Sequence, residues 1–389
     1  MTKYLYAFWI SIIIISCNSQ NSMIKAIDMD ADTTIVVDIT GLYSDSVRKY
    51  VDDYIDEMEL VFLETNDSSI VYGVDEVVAS SSYIYIRDAY RGGGVAIFDR
   101  EGRFVRRLAN GEAPFEIGKA GSIFYDNNSG LFYVYDKLSG KIMKYSSDGL
   151  LISYHYCEDL PLGISVKGDK IFMADIVLRD EQSFFDVVET DTALNKMQRL
   201  SLGELNVRKE GLNRFFHTYY DGITINNPWN YNIVNYVQGK WKKYILQDDN
   251  FSLNLAEFTN SHELKSQLRD EQVVFKGICY HSCDWWIYRF VGNSFGRSMF
   301  WNEKTGDKWF AKSVPHSFYN LIILYGVEDS DEQKLLGIVD VDYMVNGSQN
   351  PDFVWNGSNL NGLLSDKDIA KLRKVILDDN PIIVFFKLK

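Results

Sequence analysis

Three aspartates stand at matching places in a repeated pattern of this chain. Tyr85-Ile86-Arg87-Asp88, Tyr133-Val134-Tyr135-Asp136 and Phe172-Met173-Ala174-Asp175 each close a β-like run with Asp, at spacings of 48 and 39. Carboxylate oxygens gathered at one rim would suit calcium. An Asp at a strand end equally caps its own turn by accepting backbone N–H groups. Cys279-Tyr280-His281-Ser282-Cys283 brings two thiols and an imidazole within five residues, a donor set for a transition metal. Zinc normally takes a fourth ligand or a second Cys pair, and no second pair exists; a small-loop disulfide or free thiols are the other reading. Trp229, Trp285, Trp286 and Trp301, with Trp309, offer planar faces for stacking on sugar rings, or else ordinary core between packed sheets. Asp284 and the pair Asp340/Asp342 are candidate acid and base groups for a polysaccharide hydrolase or lyase, a chemistry that needs two carboxyls at a defined separation. Arg91-Gly92-Gly93-Gly94 lacks the Lys and the wide glycine spacing of a phosphate-binding loop and reads as a hairpin turn.

A different chemistry is written at the N-terminus. Lys3 to Ser16 (KYLYAFWISIIIIS) carries one early positive charge and a short apolar run, of signal-peptide length and too short to span a bilayer. Ile14-Ile15-Ser16-Cys17 follows, and resembles the lipobox of bacterial lipoproteins. The resemblance implies cleavage after residue 16, a lipid on Cys17 and a membrane partner through that lipid. The polar Asn18 to Asp32 reads as a spacer, so 1–16 is assigned as signal peptide, 17–45 as lipidated cysteine and tether, and 46–389 as the folded domain.

The net charge of −14 excludes a nucleic-acid partner, which needs a basic face. Cys157, Cys279 and Cys283 are the other cysteines, an odd number that allows at most one internal disulfide. Aromatic content of 14% with only 6 Pro favours short strands between Gly and Asp turns. Residues 74–109 and 117–155 each hold four such runs. In the first they are Val74 to Val78, Tyr83 to Arg87, Val95 to Phe98 and Phe104 to Leu108. In the second they are Ser122 to Tyr125, Leu131 to Tyr135, Lys141 to Tyr145 and Leu150 to Tyr154. Glu101-Gly102 and Asp148-Gly149 make equivalent turns before the fourth run. Four strands recurring every 40 to 50 residues are the blades of a propeller, since each small sheet must bury its faces on neighbours. Weaker copies follow at 216–246 and 273–312, and a sixth blade would join residues 318–346 to Glu59–Glu64 (ELVFLE) and Ile382–Lys387 (IIVFFK), closing the ring. Helical insertions are expected at Ser365–Ile376, where Ser365 and Asp368 form a capping-box-like pair, and at Ser261–Arg269.

Leu63-Glu64-Thr65, Tyr83 to Leu108, its second copy and Asn380 to Lys387 together resemble the six-bladed β-propeller lipoproteins of Bacteroidetes, relatives of NHL-repeat propellers. The resemblance spans the mature chain and is strongest over 59–155. It implies an all-β fold of six four-stranded antiparallel blades and a surface location, without an activity. The Gly-rich turn common after the fourth strand in that family is degraded here to Asn110-Gly111-Glu112-Ala113-Pro114-Phe115-Glu116. The expected function is a binding or interaction module held on the cell envelope, at the outer membrane and facing the periplasm or the outside, with a glycan or an envelope protein as partner. An envelope enzyme using rim carboxylates and a calcium-dependent scaffold are the alternatives; no cofactor other than calcium is expected.

Overall fold

A computed structural model of the chain describes residues 27–28, 33–42, 48–88, 94–157, 160–179, 182–205, 216–219, 222–226, 232–247, 273–292, 296–311, 322–327, 330, 332–339, 341 and 362–389. In chain order its strands are β1 (Ile27–Asp28), β2 (Thr33–Asp38), β3 (Ile55–Phe62), β4 (Val74–Ala79), β5 (Tyr83–Asp88), β6 (Val95–Asp99), β7 (Phe104–Arg107), β8 (Ala120–Asp126), β9 (Leu131–Asp136), β10 (Lys141–Ser146), β11 (Leu151–Tyr156), β12 (Gly163–Lys167) and β13 (Lys170–Arg179). They continue as β14 (Gln182–Asp191), β15 (Lys196–Leu205), β16 (Phe216–Tyr219), β17 (Gly222–Asn226), β18 (Asn232–Val237), β19 (Lys240–Gln247), β20 (Val273–Ser282), β21 (Trp285–Gly292), β22 (Gly296–Asn302), β23 (Lys308–Phe310), β24 (Ile322–Val327), β25 (Leu335–Val339) and β26 (Ile382–Leu388). One α-helix, α1 (Asp366–Leu372), is described; Ser365 caps it by accepting the Asp368 N–H at 3.1 Å, as the sequence pattern anticipates. Residues 261–269 lie outside the described residues.

The strands form a six-bladed β-propeller. Blade I is β4 to β7, blade II β8 to β11, blade III β12 to β15, blade IV β16 to β19, blade V β20 to β23, and blade VI β24, β25, β26 and β3. The innermost strands β4, β8, β12, β16, β20 and β24 touch in that order and return to β4. Blade VI closes the circle as the sequence implies, with β26 antiparallel to β3 and Val384 opposite Leu60. Aromatic rings fill the seams between blades: Tyr85 of blade I stacks on Phe132 of blade II at 4.0 Å and 6°. The turn before β7 sets Gly102 at φ +84°, and a Cβ there would lie 2.2 Å from the Phe62 carbonyl oxygen. Glu64 N–H donates to the Gly102 carbonyl at 2.8 Å, which ties blade I to the closing strand.

One expectation needs correction. The sequence reads 17–45 as lipidated cysteine and tether, yet two of its stretches are strands of the ring. β1 lies parallel to β15 as a fifth strand of blade III, and β2 lies parallel to β19 as a fifth strand of blade IV. The reason is in the composition: Thr33–Asp38 reads TTIVVD, a β-branched run, and Val37 and Ile39 are buried in the blade IV–V core. Farther on, Lys49 makes a parallel bridge to Ala311 beside β23, and its ammonium meets Asp307 at 3.0 Å. The described stretches 27–28, 33–42 and 48–62 thus form a strap along the outer edges of blades III, IV, V and VI in turn.

Candidate functional site

In a four-stranded meander, the turn between the second and third strands sits at the same end of the ring as the connection to the next blade. Asp88 and Asp136 close second strands, so they belong to this end; Asp175, expected to match them, lies instead within β13 opposite Asp186, because that strand runs on to Arg179. Asp88 Oδ2 accepts the Tyr72 N–H at 2.9 Å and its Oδ1 accepts the Gly73 N–H at 3.2 Å. Asp136 accepts N–H groups of Gly118, Lys119 and Leu138 at 2.9 to 3.0 Å and the Ser139 hydroxyl at 2.5 Å. Burial alone would raise the Asp136 pKa, but the bonds from Ser139, Gly118, Lys119 and Leu138 outweigh it and hold the carboxyl below its ordinary value. Both carboxylates therefore staple the incoming inter-blade connection to a strand end. Asp175 differs, being one-third exposed and 4.0 Å from Arg199. The three are not brought to a common point, and among the described residues no group of three His, Cys, Asp or Glu is disposed to hold a metal ion.

The tryptophans expected as a stacking platform are core. Trp286 is fully buried, its ring 4.4 Å from Tyr244 and 4.3 Å from His281, and its Nε1 donates to Glu303 at 2.9 Å. Trp301 stacks beside it, and Trp285 turns inward to donate to the Lys389 carbonyl at 3.0 Å. Trp285, Trp286 and Trp301 are only 6, 0 and 7% exposed, so none of the three offers an open face to a sugar. Trp229 lies outside the described residues, as do Cys17, Asp340 and Asp342.

The Cys279–Cys283 motif also separates. Cys279 is buried in the blade IV–V core, where loss of hydration pushes its thiol pKa well up, whereas Cys283 is exposed in the following turn at φ +52°. Neither is in a disulfide, nor is buried Cys157. His281 sits between Tyr219 at 4.9 Å and Trp286, and its Nδ1 is enclosed without a hydrogen-bond partner. Burial, with the Lys242 charge adding to it, pulls this imidazole down to about 3. Asp284 is exposed and lies 3.9 Å from Lys304, an ordinary surface pair.

What the ring does present is an apolar surface on blade II. Of sixteen exposed large hydrophobic residues among the described residues, seven belong to this blade and its flanking connections: Phe115, Leu138, Leu150, Leu151, Ile152, Tyr156 and Leu160. Phe115, Leu138 and Leu160 are 60, 69 and 66% exposed and surround the turn 137–140 at the Asp end. A Cβ on Gly118 would touch Leu138 at 3.0 Å, and one on Gly140 would touch Leu160 at 2.8 Å. Lys141 reaches the Pro114 and Glu116 carbonyls at 3.2 and 2.8 Å, which holds the Phe115 loop against the same turn. Sequence reasoning missed this surface. Its signal was the run Leu150-Leu151-Ile152 at the start of a strand whose place at the blade edge sequence does not state.

Comparison with known proteins agrees with the architecture. A family model described as a domain of unknown function, DUF4934, matches residues 34–387. Among solved structures, a Bacteroides fragilis protein described as exported is 15% identical with a TM-score of 0.68, over 92% of this chain and 100% of that one. A member of the DUF4221 family from Bacteroides vulgatus is 11% identical with a TM-score of 0.48, over 86% of this chain and 97% of that one. No protein of curated function matches the chain. The family match and the ring bear out the resemblance to Bacteroidetes propellers; at these identities the structural likeness is one of fold alone.

Proposed function

We propose that this chain, which belongs to the DUF4934 family, is a cell-envelope lipoprotein of the outer membrane whose propeller holds a partner protein. The observation that carries this reading is the exposed cluster of Phe115, Leu138 and Leu160 on one end of blade II. Contiguous apolar surface on a soluble domain marks a place of contact, and a rigid ring fixes it in one orientation. The burial of Trp285, Trp286 and Trp301 favours a protein partner over a glycan. The calcium reading loses Asp88 and Asp136 as free ligands, because both are occupied by backbone N–H groups.

Anchoring rests on the N-terminal sequence, the apolar run followed by Ile14-Ile15-Ser16-Cys17. Among the described residues no helix is long and apolar enough to cross a membrane. Cys17→Ser is expected to move the protein from the membrane fraction to the soluble one and to abolish incorporation of labelled fatty acid; unchanged fractionation and labelling would refute the anchor. For the partner, a photo-crosslinking amino acid at position 138 is expected to give a discrete adduct in cells. The adduct should vanish when Phe115 and Leu160 are both replaced by Asp, while the melting temperature stays put. Crosslinking no different from that at Thr305, at the opposite end of the ring, would refute the surface.

A further inference from the structure

The strap formed by β1, β2, Lys49 and β3 shows that outer edges of this ring accept an added strand. Blades III and IV carry β1 and β2, blade V is bridged by Lys49, and the outer strand of blade VI is the strap itself. Two outer strands lack such cover among the described residues, β7 and β11. They are chemically unlike. β7 is four residues long and ends in Arg106-Arg107, with Arg103 just before it, so two copies of it laid together would set like charges face to face. β11 reads Leu151-Ile152-Ser153-Tyr154-His155-Tyr156 and holds no Lys, Arg, Asp or Glu.

The hydrogen-bonding phase of β11 can be read from its inner neighbour. Cys157 N–H donates inward to the Gly140 carbonyl at 2.8 Å, and β11 pairs with β10 through His155 opposite Ile142 and Ser153 opposite Lys144. Antiparallel alternation then turns the N–H and C=O groups of Tyr154 and Tyr156 outward, away from the blade. Strand alternation also places the side chains of Tyr154 and Tyr156 on one face, while Ile152 stands at the bulge where the register shifts between Lys144 and Tyr145. Ile152 is 54% and Tyr156 60% exposed, and the Tyr154 and Tyr156 rings meet edge to face at 5.7 Å. An antiparallel copy of this strand matches it on both counts. Outward backbone groups meet outward backbone groups, and the Tyr154/Tyr156 row lies beside itself, giving aromatic cross-strand pairs with no charge to repel.

We infer that the edge of blade II is a self-association surface, at which β11 pairs antiparallel with β11 of a second copy of this chain to make one continuous sheet across two rings. This pairing uses the strand edge, not the Phe115/Leu138/Leu160 cluster, and stands whether or not Cys17 carries a lipid.

The test uses the chain from residue 18 onward, the proposed mature form without its lipid, with mass measured by light scattering and sedimentation. The unaltered chain is expected at the mass of two copies. Because residues 152 and 156 are exposed, the double variants Ile152→Lys/Tyr156→Lys and Ile152→Glu/Tyr156→Glu should keep the melting temperature. Each should run as a monomer, with the dissociation constant raised at least about tenfold by repulsion across the strand pair. An equimolar mixture of the Lys and Glu variants should recover the double mass in any antiparallel register. A monomeric unaltered chain at about 100 μM, or a Lys variant that dimerises as well as the unaltered chain, would overturn the inference. So would a Lys and Glu mixture that stays monomeric.

Discussion

Lowering the pH from 7.5 to 5 should selectively weaken this fold through His281. In the unfolded chain the imidazole titrates near 6.5, whereas in the ring, wedged between Tyr219 and Trp286, it is pulled down to about 3. The unfolded state therefore binds a proton that the folded state refuses, so stability is full above 6.5 and drains away as pH falls from there toward 3. At pH 5 the loss comes to about 2 kcal/mol, and it barely depends on the native value as long as that value stays well below 5. The carboxyls of Asp38, Asp136, Asp191 and Glu332, all held below their ordinary values, titrate beneath this window and do not confuse it. Urea midpoints for the unaltered chain and for His281→Phe, which keeps an aromatic ring in the same slot, should be compared at both pH values. The unaltered chain should lose about 2 kcal/mol more than the variant on acidification. Equal losses in the two proteins would show that His281 is hydrated or protonated in the folded state, and the reasoning would fail.

Two further substitutions probe the blade joints. Gly102→Ala should cost well over about 1 kcal/mol, because a positive φ is compounded by a Cβ 2.2 Å from the Phe62 carbonyl oxygen. Gly149→Ala, whose nearest obstacle is the movable tip of Ile97, should cost less, and thermal melts that rank the pair the other way would contradict the closing contact. Asp136→Ala leaves the N–H groups of Gly118, Lys119 and Leu138 without their acceptor and should cost about 3 kcal/mol by denaturant unfolding. A loss below about 1 kcal/mol would mean that water replaces the staple.

The repeat was legible where each strand is bounded by its own turn chemistry. Tyr83 to Leu108 and Leu131 to Tyr154 could be parsed because Glu101-Gly102 and Asp148-Gly149 mark the hairpins and the apolar positions fall between them. The closure of the ring was legible for the same reason, since ELVFLE and IIVFFK are strands without local partners. β2 was not, because a parallel partner more than two hundred residues away leaves no turn in the sequence, and the polar residues before Thr33 drew the whole segment into the tether. For the candidate site, residue type proved a poor guide to exposure. Trp285, Trp286 and Trp301 could equally line a rim or fill a seam, and only the sheet order places them inside. Leu138, in a turn whose neighbours Lys137, Ser139 and Gly140 read as solvent-facing, gave no hint that it would stand out among apolar neighbours. The Asp repeat was visible as a pattern, but its use in stapling Gly118 and Lys119 depends on where the next blade begins.

The strap has a mechanical meaning. Any pull on this protein from its N-terminal side enters the ring along β1 and β2, which lie parallel to the outer strands they join. Six registered residue pairs, from Thr33 beside Lys242 to Asp38 beside Gln247, are then loaded together along the strand direction, in shear, and do not peel apart one at a time. The Lys308 ammonium on the Asp38 carbonyl at 2.8 Å and the Lys49 to Asp307 pair take up load at blade V before it reaches β3. Traction is spread over half the circumference, and the seam at which the circle is closed is the last joint to feel it.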